Sequence, residues 1–269
     1  MNALRTLRAG RAGGTLRAGV HPAGVALPSR LVRTLYALAL LLVMLAGLGQ
    51  APLFDVDEGA FSEATREMVT SGDWGHTTLN GDDRFDKPIG VYWLQAASVS
   101  VFGAEPFAFR LPSVLSGWLL AIALATFAAP RWGVLAGALA GVMAVTSLGP
   151  MAIYRAATAD ALLNLLLVLA GLDLWRFAES GRRAPLRRAY AWVGLGLLVK
   201  GPVAVLVPGA AFLVWVASSR CWDRLRQAAL DGWGWGLLVA IATPWYAYAL
   251  HRHGMAFVEG FLFKHNLQR

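Results

Sequence analysis

Ten of the chain's sixteen carboxylates fall between residues 52 and 110, and three of them, Asp55, Asp57 and Glu58, crowd directly after a long apolar run. A carboxylate held at a reacting hydroxyl can take its proton. Lys87 and Lys200 each sit at the end of an apolar stretch, and lysine is a point-charge partner for phosphate. Asp160 lies near the start of another such stretch, after Tyr154-Arg155-Ala-Ala-Thr. An acid inside a membrane helix costs a few kcal/mol, roughly, and is by default a functional candidate. Each residue also has a structural reading. Asp57 caps a helix, Thr158 or Asp160 caps another, and Lys87 and Lys200 snorkel as anchors. A cap accounts for Asp57 but not for Asp55 and Glu58 beside it.

The elements that must position these residues follow from composition. The chain has 269 residues, 57% apolar and 15% charged. A soluble domain carries about 25% charged residues. So much apolar sequence excludes disorder, and the single Cys221 excludes a disulfide-stapled fold. Stretches 34–54, 88–104, 111–130, 132–154, 201–219 and 232–250 contain no Asp, Glu, Lys, Arg or His. A bilayer core needs roughly 20 helical residues to cross. The weaker runs 156–175 and 189–199 complete the set, and Lys200-Gly201-Pro202 makes a natural break between two short spans.

Charge then orients the chain. With 88–104 lying on the membrane, the chain crosses seven times from a cytoplasmic N-terminus. Its inner segments carry a net +11 and its outer segments −3, within a total of +8. This obeys the positive-inside rule, whereas a spanning 88–104 would flip the arginine block 176–188 outward. Arginine clusters between apolar runs read as membrane orientation, so nucleic acid is set aside as a partner. Residues 1–30, with Gly-Arg-Ala-Gly-Gly and repeated Leu-Arg-Ala-Gly, read as a disordered basic tail against anionic lipid. Segment 52–110 is then an outer loop with local order. Phe61, Ala64, Met68 and Val69 make one face of an amphipathic helix, which Asp57 caps and Gly72 ends, and Asn80-Gly81 makes a turn. The topology gathers Asp55, Asp57, Glu58, Lys87, Asp160, Lys200 and His265 on one side. Acids and lysines at a membrane surface suit a reaction on a phosphate-bearing lipid.

The motifs sharpen this. Phe54-Asp-Val-Asp-Glu-Gly, Ala64-Thr-Arg-Glu-Met, Ser71-Gly-Asp-Trp, Leu79-Asn-Gly and Phe85-Asp-Lys-Pro run through this loop. Tyr92-Trp93, Phe102-Gly103, Arg110-Leu-Pro, Thr158-Ala-Asp160, Lys200-Gly-Pro and His265-Asn-Leu-Gln-Arg follow. From about residue 50 onward the chain resembles the bacterial polyprenyl-phosphate-sugar-dependent glycosyltransferases related to protein O-mannosyltransferases. The lipid A aminoarabinose transferase is that family's best-known bacterial member. The resemblance implies an all-α, GT-C-type transmembrane helical bundle over 31–269, with 52–110 as the outer catalytic loop. It implies an inverting transfer of sugar from a polyprenyl phosphate to lipid A, another envelope glycan or a protein, at the outer face of the bacterial inner membrane. It places catalytic carboxylates at Asp57, with Glu58 beside it, and at Asp160. Lys87 is expected at the carrier phosphate, with Arg66 and Lys200 as further cations. A divalent metal, zinc, is implied at Asp86 and His265. Family members are longer, so the chain is expected to be the N-terminal portion of such an enzyme.

Two other readings stay open at this point. A polyprenyl-lipid transporter or flippase would use the same spans and intramembrane acids, but it usually shows internal repeats, which this chain lacks. A non-catalytic membrane protein would use the acids only to solubilise a loop.

Overall fold

The computed structural model describes residues 28–261 and 263, so the basic tail expected over 1–30 lies almost wholly outside the described residues, as does His265. Helix follows the apolar stretches closely. The seven stretches read as crossings correspond to α1 (Arg30–Leu45), α4 (Pro106–Trp132), the pair α5 (Val134–Thr146) and α6 (Leu148–Tyr154), α7 (Asp160–Ser180), α8 (Arg183–Lys200), α9 (Val203–Ser219) and α11 (Gly232–His253). Among the described residues, α4 and α7 are each long and apolar enough to cross a membrane, and the bent α5–α6 pair would make a third. Large apolar side chains face outward all round, among them Leu135, Leu148, Leu206 and Val214, together with Trp233 at 78% exposure. Water would penalise such a surface and lipid would not.

The unbroken helix expected over 132–154 is not found. α5 and α6 meet at 64° around Ser147. Pro150 supplies the reason: a proline ring clashes with the carbonyl four residues back and removes a helical hydrogen bond. Residue 146 is where α5 stops. The break at Lys200-Gly201-Pro202 is found as expected, between α8 and α9.

Small residues let the bundle close. A Cβ added at Gly137 would lie 2.7 Å from the Ala125 carbonyl oxygen, so α5 and α4 pack backbone to backbone there. Along α4, the indole of Trp118 donates to the Ala37 carbonyl of α1.

The segment 52–110 is largely ordered. α2 (Asp55–Ser71) ends at Gly72, whose φ of 72° is the left-handed C-cap expected there. A two-stranded hairpin follows, β1 (Thr78–Leu79) with β2 (Asp82–Asp83), turned by Asn80 (φ 57°) and Gly81 (φ 85°). Two successive positive φ values are the tight hairpin turn that Asn-Gly favours. α3 (Gly90–Phe102) has 13 residues, about 20 Å of helix, too short to cross a bilayer. It buries Tyr92, Gln95, Ala96 and Val99 against the bundle. The short helices α10 (Trp222–Ala229) and α12 (Met255–Val258) complete the order. The loop also ends earlier than expected, because α4 begins at Pro106 and takes Arg110 into its first turns.

Candidate functional site

The core beneath the site joins α2, α3, α7 and α8. Phe61, Ala64 and Met68 of α2 pack with Ile89, Val91 and Tyr92, with Leu163, and with Val199. This is the apolar face read from the sequence, and it sets α2 down on the bundle.

At the head of α2 the two neighbouring acids part company. Glu58 is buried, and its carboxylate is saturated. Oε1 accepts from Arg110 Nε at 2.9 Å and from the Ala157 N–H at 2.6 Å. Oε2 accepts from Arg110 NH2 at 2.8 Å and from the Phe54 N–H at 2.6 Å. Burial pushes this carboxyl up, but Arg110 and the two backbone N–H groups outweigh it and hold it below the usual glutamate range. Asp57, by contrast, is exposed, and among the described residues no hydrogen bond ties its carboxylate. The expectation that Asp57 caps α2 is therefore corrected. The helix starts at Asp55, and Glu58 reaches back to the N–H of the N-cap Phe54, leaving Asp57 facing solvent.

Arg110 completes the brace. Besides Glu58, its guanidinium donates to the carbonyls of Leu48, Ala51 and Pro52, at 3.0, 2.8 and 2.8 Å. The chain leaving α1 is thereby fastened to the start of α4. Gln95 of α3 does the same for the 155–159 turn. Its amide donates to the carbonyls of Ala157 and Phe109, both at 3.2 Å, while its oxygen accepts from Thr65 at 2.8 Å. Glu58 and Gln95 thus hold Ala157 from both sides, three residues before Asp160.

Asp160 opens α7, but neither it nor Thr158 makes the cap expected of them; the N-cap is Ala159, with no side-chain cap bond. The Asp160 carboxylate instead meets the ammonium of Lys200, and at 43% side-chain exposure it remains open to solvent. Lys200 is therefore an ion-pair partner across helices, not a lone snorkelling anchor. Lys87 sits just before α3, held by Asp86 Oδ1 at 2.7 Å. Asp86 also pairs with Arg84 at 3.2 Å, and Arg84 donates to the Tyr92 hydroxyl. α3 and the end of α8 touch closely here: a Cβ on Gly90 would stand 2.7 Å from the Leu198 carbonyl oxygen, so only glycine fits. That contact brings the segments carrying Lys87 and Lys200 together. Arg66 is not brought to them. It lies on the exposed face of α2, where Glu63 grips it at 2.6 Å.

Lys87 lines a small pocket with Arg84, Phe85, His76, Trp245 and His253. Of the implied metal ligands, Asp86 is already committed to Arg84 and Lys87, a poor donor for a cation, and His265 is outside the described residues. The described residues that do gather as metal donors are His76, Asp83 and His253.

Sequence reasoning missed Arg84, Gln95 and Arg110 as members of the site. Gln95 had a signal, as the amide within an uncharged run, and Arg110 stood at the edge of another.

Residues 86–248 match the model of the family described as dolichyl-phosphate-mannose-protein mannosyltransferase. The undecaprenyl phosphate-alpha-4-amino-4-deoxy-L-arabinose arabinosyl transferase of Enterobacter sp. (strain 638) is 30% identical over 243 residues, 83% of this chain and 44% of that protein. The protein of the same name from Aeromonas salmonicida is 31% identical over 249 residues, 89% of this chain and 44% of its own. The crystal structure of ArnT from Cupriavidus metallidurans bound to undecaprenyl phosphate superposes with a TM-score of 0.78 at 26% identity, covering 89% of this chain and 44% of that one. Its apo state gives a TM-score of 0.76. The chain spans less than half the length of the relatives it matches.

Proposed function

The chain belongs to the dolichyl-phosphate-mannose-protein mannosyltransferase family, and on that premise we propose that it carries the catalytic loop and part of the donor site of an inverting membrane glycosyltransferase. The donor is a sugar, a 4-amino-4-deoxy-pentose or a hexose, on a polyprenyl phosphate. The acceptor is lipid A, another envelope glycan or a protein at the outer face of the bacterial inner membrane. One observation carries this reading: an open carboxylate, Asp57, stands beside a locked one, Glu58, whose bond to the Ala157 N–H ties it to the turn that presents Asp160.

In the mechanism, the acceptor oxygen attacks the anomeric carbon from the face opposite the carrier. The bond from that carbon to the phosphate oxygen breaks, and the configuration inverts. Asp57 orients the acceptor and takes its proton when the acceptor is a hydroxyl. A phosphate acceptor needs no base, and Asp57 then acts by orientation and charge. The leaving polyprenyl phosphate gains negative charge, which Lys87, with Arg84 in the same pocket, stabilises. Lys200 neutralises Asp160, so that acid can face an anionic donor without repelling it. Glu58 and Arg110 position; they do not react, because every oxygen of Glu58 is already engaged.

The test is consumption of labelled undecaprenyl-phosphate sugars by membrane vesicles carrying the chain. Label should reach an acceptor with Asp57 present and fail to do so in Asp57→Asn. Equal turnover by the two would overturn the assignment.

A further inference from the structure

Three side chains outside the proposed reaction meet where the hairpin touches the end of α11. His76 precedes β1, Asp83 lies in β2, and His253 is the last residue of α11. One donor atom from each lies within 4.8 Å of the others. His76 Nε2 is 2.9 Å from Asp83 Oδ1, and His253 Nδ1 is 3.6 Å from Asp83 Oδ2. The imidazole rings face one another with centroids 4.2 Å apart, and Phe85 packs edge-on against His253. Both histidines are largely buried, at 9% and 11% side-chain exposure, while Asp83 opens to solvent at 56%.

Hydrogen bonding explains only part of this. A contact of 3.6 Å is too long for a hydrogen bond, so none joins His253 Nδ1 to Asp83. Two imidazoles and a carboxylate from separate segments are a donor set suited to zinc. A tetrahedral zinc with bonds of about 2.0–2.1 Å spaces its donors by roughly 3.4 Å; the two histidine distances, to different oxygens of Asp83, fall on either side of that, and the three donors, within 4.8 Å of one another, draw in to it when an ion binds.

We propose that His76, Asp83 and His253 form a binding site for a divalent transition-metal ion of the zinc type, with one coordination position left to solvent on the exposed side of Asp83. The ion clamps the hairpin to α11. Because Asp83 is four residues before Lys87, and His76, His253 and Lys87 line one pocket, the clamp fixes the strand end that presents Lys87. The site stands on these three residues and uses neither Asp86 nor His265, the pair that the family resemblance suggests.

The experiment uses the full chain, tag-free in detergent, stripped with chelator and titrated with Zn2+ alone. One equivalent should bind saturably and raise the melting temperature, as any ligand of the folded state does. Asp83→Asn changes an exposed side chain and should leave the helical circular dichroism intact while weakening zinc binding at least tenfold and removing the melting shift. His76→Gln and His253→Gln should do the same, and His265→Ala should not. Absence of saturable binding, binding untouched by Asp83→Asn, or binding lost only in His265→Ala would each overturn the site.

Discussion

The two ends of the bundle treat their carboxylates differently. At one end, Asp231 is 1% exposed and held by Arg183 and Arg187. Asp173 there is gripped by Arg176, Arg188 and the Trp192 indole. At the other end, Asp57 is exposed and Asp160 is half-open with a single lysine partner. A buried, saturated acid has no lone pair left for a substrate, so it fastens helices. An acid left open beside such a fastening is free to meet one. Glu58 is that end's own fastening, and its contrast with the adjacent Asp57 repeats the whole-molecule contrast within two residues.

Substitutions should separate the two kinds. The largest effect is expected from Asp57→Asn, which should cut turnover by roughly 10²–10⁴-fold, the size of a general-base contribution, with the melting temperature unchanged. Arg110→Ala comes next. It strands the buried Glu58 charge, and breaking a buried pair from one side costs about 3–5 kcal/mol. Denaturant or thermal unfolding in detergent should show a loss of that order, and a neutral result would remove Glu58 and Arg110 from the account. Asp231→Asn at the saturated end should lower stability, by about 1–3 kcal/mol for the partners left unpaired. Turnover per folded molecule should persist. Lys200→Ala should barely move stability, by under about 1 kcal/mol, since the pair is partly exposed. Its mark should be a raised KM for the anionic donor.

Acid sharpens the same comparison. The Glu58 carboxyl is held below its ordinary value in the folded chain. Folding therefore favours its ionised form, and its contribution to stability is complete above the unfolded value near ~4.3. That contribution is lost as pH falls through the lower folded value. Glu58→Gln should flatten stability against pH in this acid window, as read by melting temperature from pH 6 downward.

Much of the scaffold was legible because its signals are local. Asn80-Gly81 gave the hairpin turn, Gly72 the end of α2, and Lys200-Gly201-Pro202 the break between two helices. Pro150 carried the cause of the α5–α6 bend, yet an uncharged run of apolar residues masks a bend, since hydropathy has no direction. The pairing of Glu58 with Arg110 spans 52 residues. No periodicity encodes a partner that distant; packing of α2 on α3, and of α3 on α4, selects it. The same holds for His76 and His253, which α11 and the hairpin bring together. For Asp57, sequence weighed a cap against chemistry, and the position of Glu58 one residue later removed the cap.

On the proposed mechanism the open acid reacts while the locked one holds. Turnover of labelled undecaprenyl-phosphate sugar and melting temperature, measured side by side on Asp57→Asn and Glu58→Gln in the same vesicles, test it most directly. On that mechanism Asp57→Asn is silent but fully stable, and Glu58→Gln is destabilised yet still turns over per folded molecule. Full turnover by Asp57→Asn, or a stable Glu58→Gln that has lost all chemistry, would contradict it.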